Sequence, residues 1–472
     1  PFPLAAPHGV MAVWRQLERL YPEHVYGGGL DVITTVDRNW QREAERIARQ
    51  HLEAINHPPP DRVPANANNA AIVAMDPFTG QVLTLLGSPD YFDERIDGAV
   101  NAALAPRQPG SALKPFTYAA AMNPTLPEPL TAASMLLDVR TPFVTRRLES
   151  YTPLNYALVE HGPVLVREAL ASSYNIPAVA ALDHIGVERM VELANNAGLA
   201  TLARREVDLA VTLGGGEVRL LDLVQAYSIF PNGGYRVEPS LILSVRARVS
   251  GDTLYEWQPP VLDQRVIDER IAYIITHILS DPDARIPSFG RNSPLDIGRP
   301  AAAKTGTTTD FRDNWTVGYT PNLVVGVWVG NADNTPMVNV TGITGAGPMW
   351  NAFMRRALLG QQELQFQRPP GIETAQVCAL SGLLPTPACT LRRTELFLAG
   401  TVPTEPDNLH QIFTLDRDTG LLADDNTPPE RRVEQVFVVL PQEAREWAIR
   451  SGIRQPPPSA DAFAPDHAQV LR

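Results

Sequence analysis

"GRPAAAKTGTTTDFRDNWTVGYTPNLVVGVWVGN", residues Gly298 to Asn331, is the stretch whose reading decides the architecture. It holds three short, near-continuous apolar runs, "AAAKTGTTT", "NWTVGYT" and "LVVGVWVG", separated by the turn-forming "DFRD" and "PN". Runs of this length bounded by turn residues read as strands, and connections this short lead to an antiparallel meander. "GPMWNAFMRRALLG" (347–360) follows as a helix covering that sheet.

Working outward, "AAIVAMD" and "QVLTLLG" flank "PFTG", whose Pro77 and Gly80 suit a tight turn, so residues 70–87 read as a hairpin. Before it, "HGVMAVWRQLERLY" (8–21) reads as an amphipathic helix and "GGGLDVITTVD" (27–37) as a turn and strand. "RNWQREAERIARQHLEAIN" (38–56) is a helix with Asp37 as its N-cap. The Pro/Asn-rich "HPPPDRVPANANN" (57–69) marks a first boundary. Residues from about 130 to 290 read as mostly helical. The expected organisation is a linker region over 1–68 and a catalytic unit over 69–360. A small, loop-rich module over 361–454 and a disordered Pro-rich tail over 455–472 complete it.

The 472 residues exceed one typical core. With 44% hydrophobic and 19% charged residues the chain is globular. A formal net charge of −12 and the lack of a basic stripe argue against nucleic-acid binding. No apolar run is long enough to span a membrane. The chain opens at Pro1 rather than methionine, so it reads as a processed product or a fragment. Cys378 and Cys389, in "VCALSGLLPTPACT", fit a disulfide or two free thiols equally well. A zinc site is not expected, because no second cysteine pair and no nearby histidine completes four ligands.

The lysines carry the chemistry. Of 40 basic residues only Lys114 and Lys304 are lysine; all the others are arginine. A lysine can lose its proton when buried or crowded, whereas an arginine, with a pKa above about 12, stays charged. Lys114 lies three residues after Ser111 in "RQPGSALKPFTYAAAM", which places both on one helix face. With Pro109 and Gly110 before it, the helix is expected to begin at Ser111. The serine amide would then be an unpaired first-turn N–H, able to help bind an oxyanion. Lys304 opens "KTGTTT", where a cation, threonine hydroxyls and a Gly306 open to close approach suit a substrate carboxylate. "SSYN" supplies Ser173, to relay a proton, and Asn175, to hold a peptide group. Each string alone is weak. The ordered set S-x-x-K, S-x-N, K-T-G is specific, and it belongs to serine acyl-enzymes that react with β-lactams.

At this point the chain resembles the transpeptidase portion of the class A (bifunctional) penicillin-binding proteins. "AAIVAMDPFTGQVLTLLG", "HGPVLVREALASSYNIPAV" and "SGLLPTPACT" are also similar to family segments, in family order, and the likeness spans about residues 8 to 400. The resemblance implies an α+β fold: a five-stranded antiparallel sheet covered by helices, beside an all-helical lobe, with the site between them. By motif it makes Ser111 the nucleophile, Lys114 its base, Ser173 and Lys304 proton carriers, and Asn175 a holder of the donor peptide. It puts the oxyanion hole at the amides of Ser111 and Thr307, and the donor's carboxylate on the Thr305 and Thr307 hydroxyls. The implied reaction joins a peptidoglycan stem peptide ending in D-Ala–D-Ala to an acceptor amine, and β-lactams acylate the same serine. No cofactor and no metal are implied. The implied setting is extracytoplasmic, with membrane contact only through an N-terminal anchor not seen here, and with cell-wall synthesis proteins as partners. Nothing in the sequence matches the glycosyltransferase domain of that family.

Two rivals use the same trio. A β-lactamase needs a deacylating glutamate in an E-x-x-L-N pattern, which neither Glu188 nor Glu192 in "ERMVELANN" fits. A D,D-carboxypeptidase stays open, because water and amine compete for one acyl-enzyme. A β-lactam sensor would not need the linker-like "GGLDVITTVD". His161 and His277 read as solvated or core histidines, and the glycines at 214–216 as a turn entering a helix.

Overall fold

A computed structural model describes residues 4–27, 29–204, 206–425 and 427–457. The chain opens with helix α1 (Pro7–Leu20), strand β1 (Leu30–Thr34) and helix α2 (Arg38–Asn56). Asp37 caps α2 by accepting hydrogen bonds from the amides of Asn39 and Trp40. The hairpin follows as β2 (Asn69–Met75) and β3 (Val82–Leu86).

A central stretch contributes α3 (Lys114–Ala121), α4 (Val166–Ala171), α5 (Asn175–Ile185) and α6 (Leu220–Tyr227). It ends with β4 (Ile242–Ala247), β5 (Thr253–Glu256) and α7 (Glu269–Leu279). This stretch is less helical than expected. Met135–Asp138 pairs with Gly162–Leu165, and β4 runs antiparallel between β1 and β5. The partners of β4 include a strand some 200 residues earlier, so local periodicity could not reveal the pairing.

The meander forms as expected: β6 (Ala302–Thr307), β7 (Asp313–Thr320) and β8 (Leu323–Gly330) pair antiparallel in turn. The hairpin joins it through β8, giving a five-stranded antiparallel sheet of order β6-β7-β8-β2-β3. Side chains alternate across a strand, and the sheet divides its residues accordingly. Ala71, Val73, Met75, Trp315, Val317, Tyr319 and Trp328 enter the core shared with α3, α5, α6 and α7. Ala70, Ile72, Ala74, Val325, Val327 and Val329 face α2 and helix α8 (Ala346–Ala357). Gly318 and Gly326 are the close-approach points. A Cβ on Gly318 would stand 2.5 Å from the Trp350 ring, and one on Gly326 2.5 Å from Val224. The Pro/Asn-rich 57–69 thus connects a helix and a strand that share one core.

Beyond α8 the chain is more regular than "loop-rich" suggests. Strands β9 (Ile372–Cys378) and β10 (Arg392–Leu398) form one hairpin, and β11 (His410–Asp416) and β12 (Arg432–Val438) another. Cys378 and Cys389 are joined as a disulfide, with Cα atoms 6.0 Å apart. A histidine is nearby after all: His410 Nδ1 lies 3.6 Å from Cys378 Sγ, brought there from 32 residues away. The tail expected over 455–472 lies, from residue 458 on, outside the described residues.

Candidate active site

Three segments meet where the sheet edge faces the helical lobe. Ser111 is half-buried in a tight 3-10 turn, Gly110–Leu113, and α3 begins at Lys114. The helix therefore starts three residues later than the sequence suggested, and the serine sits in the turn that introduces it. Gly110 makes that turn possible. Its φ of +56° is a left-handed conformation, and a Cβ there would stand 2.6–2.9 Å from the backbone of Thr307. The Ser111 turn and the end of β6 are thereby held backbone to backbone.

Gly306 takes part in the same clamp. The atom crowding it is the Pro109 carbonyl oxygen, 2.1 Å from where a Cβ would stand, so its missing side chain makes room for the serine turn rather than for a ligand. Gly214 closes the other side, its Cβ position lying 2.3 Å from the Gly110 nitrogen.

Lys114 and Lys304 are both buried, at 0% and 2% exposure, and they converge on the S-x-N loop between α4 and α5. Lys114 Nζ donates to the carbonyl oxygens of Ser173 (2.6 Å) and Tyr174 (2.9 Å) and to Asn175 Oδ1 (2.7 Å). Lys304 Nζ donates to Ser173 Oγ (2.7 Å) and to the Thr305 carbonyl (2.9 Å). The Ser173 hydroxyl bridges the two lysines, with its Oγ 3.4 Å from Lys114 Nζ. Ser173 adopts φ +63°, an uncommon conformation for a residue with a side chain. It presents its carbonyl to Lys114 and its hydroxyl to Lys304.

Burial is the larger force on both amines. It holds Lys114 well below the usual lysine range, with the Lys304 charge adding to the effect and the buried Asp138 carboxylate opposing it. Burial alone brings Lys304 down to about 7. Three acceptors within 2.9 Å favour an ammonium at Lys114, whereas desolvation and the neighbouring cation favour the neutral amine. Burial and the neighbouring cation therefore make the neutral amine more accessible at Lys114 than in an ordinary lysine.

On the strand, Thr305 is buried and Thr307 half-buried. Thr307 Oγ1 accepts from the Gly342 amide at 2.9 Å, which leaves the hydroxyl proton free to donate outward. The Ser111 turn, both lysines, the S-x-N loop and the strand carrying Thr305, Gly306 and Thr307 thus meet at one place, with Lys114 Nζ bonded to the S-x-N loop.

Sequence reasoning missed the support behind them. Asn155 Oδ1 accepts from the Asn175 amide at 2.7 Å, and Asn155 Nδ2 donates to both oxygens of Asp138, at 2.8 and 2.7 Å. Asp138 also bonds His161, whose ring stacks on Tyr174 with centroids 4.0 Å apart. His161, which reads from the sequence as a solvated or core histidine, thus braces the S-x-N loop. Its only sequence signal was its place, twelve residues before Ser173. Asp310, Arg312 and Asp313 shape a turn, as read: Asp313 accepts from the Trp328 indole and Arg312 donates to the Asn334 carbonyl.

Comparison with known proteins bears directly on this arrangement. Residues 70–355 match the family described as the penicillin binding protein transpeptidase domain. The chain belongs to the penicillin-binding protein transpeptidase family. Residues 368–412 of this transpeptidase also match the C-terminal domain of penicillin-binding protein 1A. Penicillin-binding protein 2D of Bacillus subtilis is 30% identical over 408 residues, covering 84% of this chain and 56% of its own length. Penicillin-binding protein 1C of Escherichia coli is 30% identical over 445 residues, covering 91% and 53%. The chain spans about half the length of the curated relatives it matches. The solved penicillin-binding protein 1A from Haemophilus influenzae has a TM-score of 0.74 at 22% identity, covering 86% of this chain and 78% of that one. PonA1 from Mycobacterium tuberculosis follows at 0.63 and 25%, covering 76% and 93%. Among the described residues, no helix of the transpeptidase is long and apolar enough to cross a membrane.

Proposed function

We propose that this penicillin-binding transpeptidase works as a serine D,D-transpeptidase on peptidoglycan stem peptides, with Ser111 as nucleophile. The observation that carries the reading is the convergence of two buried lysines on one serine hydroxyl beside the Ser111 turn. In its neutral form Lys114 takes the Ser111 proton as the hydroxyl attacks the carbonyl of the penultimate D-alanine. The Ser173 hydroxyl, bonded to cationic Lys304, gives its proton to the leaving D-alanine amine and regains one from the Lys114 ammonium, which returns to the neutral amine. The Ser111 and Thr307 amides, on two backbones clamped together at Gly110, receive the developing oxyanion. Lys304 and the threonine hydroxyls at 305 and 307 hold the donor's terminal carboxylate. Asn175 Nδ2 donates to the Leu154 carbonyl at 2.8 Å and offers its second hydrogen to the donor's peptide carbonyl.

An amine from a second stem peptide then resolves the acyl-enzyme. A β-lactam acylates the same serine and its ring cannot depart, so deacylation is slow. Neither glutamate nearest a β-lactamase pattern supports hydrolysis. Glu188 and Glu192 are exposed on the helix Val187–Asn196, and Glu188 pairs with Arg146. The extracytoplasmic setting that peptidoglycan requires agrees with the disulfide at Cys378 and Cys389.

The test is to acylate the chain with labelled penicillin, map the adduct, and follow its release. A stable adduct on Ser111, absent from Ser111→Ala, is expected. An adduct elsewhere refutes the assignment, and rapid release points to a hydrolase.

A further inference from the structure

The disulfide has two neighbours that the acyl-transfer chemistry does not use. Cys378 closes β9 and Cys389 lies in the loop leading to β10; Asp407 and His410 lie at the entry to β11. One ligand atom from each residue — two Sγ, a carboxylate oxygen and a ring nitrogen — lies within 4.8 Å of every other. Both cysteines and Asp407 are buried, and His410 is half-buried.

The distances from His410 are near those of a shared ion, whereas the two sulfurs, bonded to each other in the disulfide, must part once reduced. Sulfur and nitrogen bound to one tetrahedral zinc, at roughly 2.3 and 2.05 Å, stand about 3.6 Å apart. Cys378 Sγ and His410 Nδ1 are 3.6 Å apart. Asp407 Oδ2 lies 2.8 Å from His410 Nδ1, so a carboxylate swing of about half an ångström brings it to a ligand's spacing. Cα atoms 6.0 Å apart leave both cysteine side chains room to turn toward one ion.

We propose that the chain, with both cysteines as thiols, binds one zinc(II) ion through Cys378, Cys389, Asp407 and His410, and that zinc and disulfide are alternative closures of this site. Two soft thiolates and an imidazole select zinc over calcium or magnesium, which take oxygen ligands. A disulfide sulfur is no thiolate, so the two forms exclude each other. A dithiol converts one to the other by exchange: two electrons and two protons pass to Cys378 and Cys389, and the dithiol becomes a disulfide. Zinc then displaces both thiol protons. The consequence is structural. The disulfide closes a loop inside the first hairpin, whereas the metal joins that hairpin to the second.

The test uses the whole chain, reduced with a dithiol under inert gas, desalted, and offered zinc(II) alone. One zinc per chain by elemental analysis is expected for the reduced form and none for the oxidised form. Cobalt(II) in its place should give the intense visible bands of a tetrahedral thiolate site. His410→Ala and Asp407→Ala should each weaken zinc binding by about tenfold or more, with circular dichroism reporting that the fold persists. Zinc retained equally by Cys378→Ser/Cys389→Ser, or no zinc on the reduced native chain, overturns the proposal. The native chain in its two redox states decides the matter even where a variant does not fold.

Discussion

Lysine and arginine differ here by one property, the ability to give up a proton. Lys114 and Lys304 are the only lysines, both are buried, and both reach the Ser173 hydroxyl. If Lys114 is the base, Lys114→Arg should lower penicillin acylation by about 10²–10⁴-fold, the usual contribution of a positioned base, with circular dichroism reporting that the fold persists despite a larger, permanently charged side chain at a buried position. Acylation at the native rate would remove Lys114 from the mechanism. The pH profile tests the pair together. Lys114 must be neutral, so acylation rises with pH through its depressed pKa. Lys304 must be cationic to hold a carboxylate, and burial sets it at about 7, so the second-order rate should fall as pH rises past that value. A profile flat from about pH 6 to 9 contradicts these roles.

At the scale of elements, what was legible in the sequence and what was not divide by sequence distance. The ends of α2 and the three strands of the meander followed from a cap, turn residues and apolar runs, all of them local signals. The motifs located every proposed site residue, because each chemical group sits in a short string. The pairing of β1 with β4 is not local, nor is the bracing of Asn175 by Asn155 and Asp138. Neither is the clamp of Gly306 on Pro109, where the glycine's role depends on a backbone nearly 200 residues away. That clamp makes a sharp expectation. Gly110→Ala costs about 1–2 kcal/mol for the left-handed backbone alone, and its methyl must also push Thr307 away from the serine turn. Acylation should fall at least about tenfold, since misplacing a reacting group by an ångström costs more. Gly251→Ala is the control: its φ is +78° with no atom within 4 Å of the new methyl, so acylation should be unchanged.

On the scale of the whole molecule, the C-terminal hairpins are fastened to the helical lobe. A Cβ on Gly382 would stand 1.8 Å from the Ala133 carbonyl, and the Trp447 indole donates to the Glu160 carbonyl while its ring covers Gly162. The strongest fastening is ionic. Arg167 on α4 and Glu395 on β10 are both buried and form a two-pronged pair, with Arg167 Nε donating to Glu395 Oε2 at 2.6 Å. Arg167 Nη1 also reaches Asp281, at 3.1 Å, and the half-buried His277. Removing one partner of a buried pair strands the other charge without water, at about 3–5 kcal/mol. Glu395→Ala should therefore lower unfolding free energy by that amount. The apolar pair Arg167→Met/Glu395→Leu should recover most of it, because neither charge is then left buried alone. Denaturant titration of the three chains with the disulfide intact provides the measurement. A loss under about 1 kcal/mol in Glu395→Ala, the range of exposed ion pairs, would mean that the hairpins ride on the lobe without being held by this pair. A double variant no better than the single one would mean that Arg167 is held by Asp281 and His277 instead.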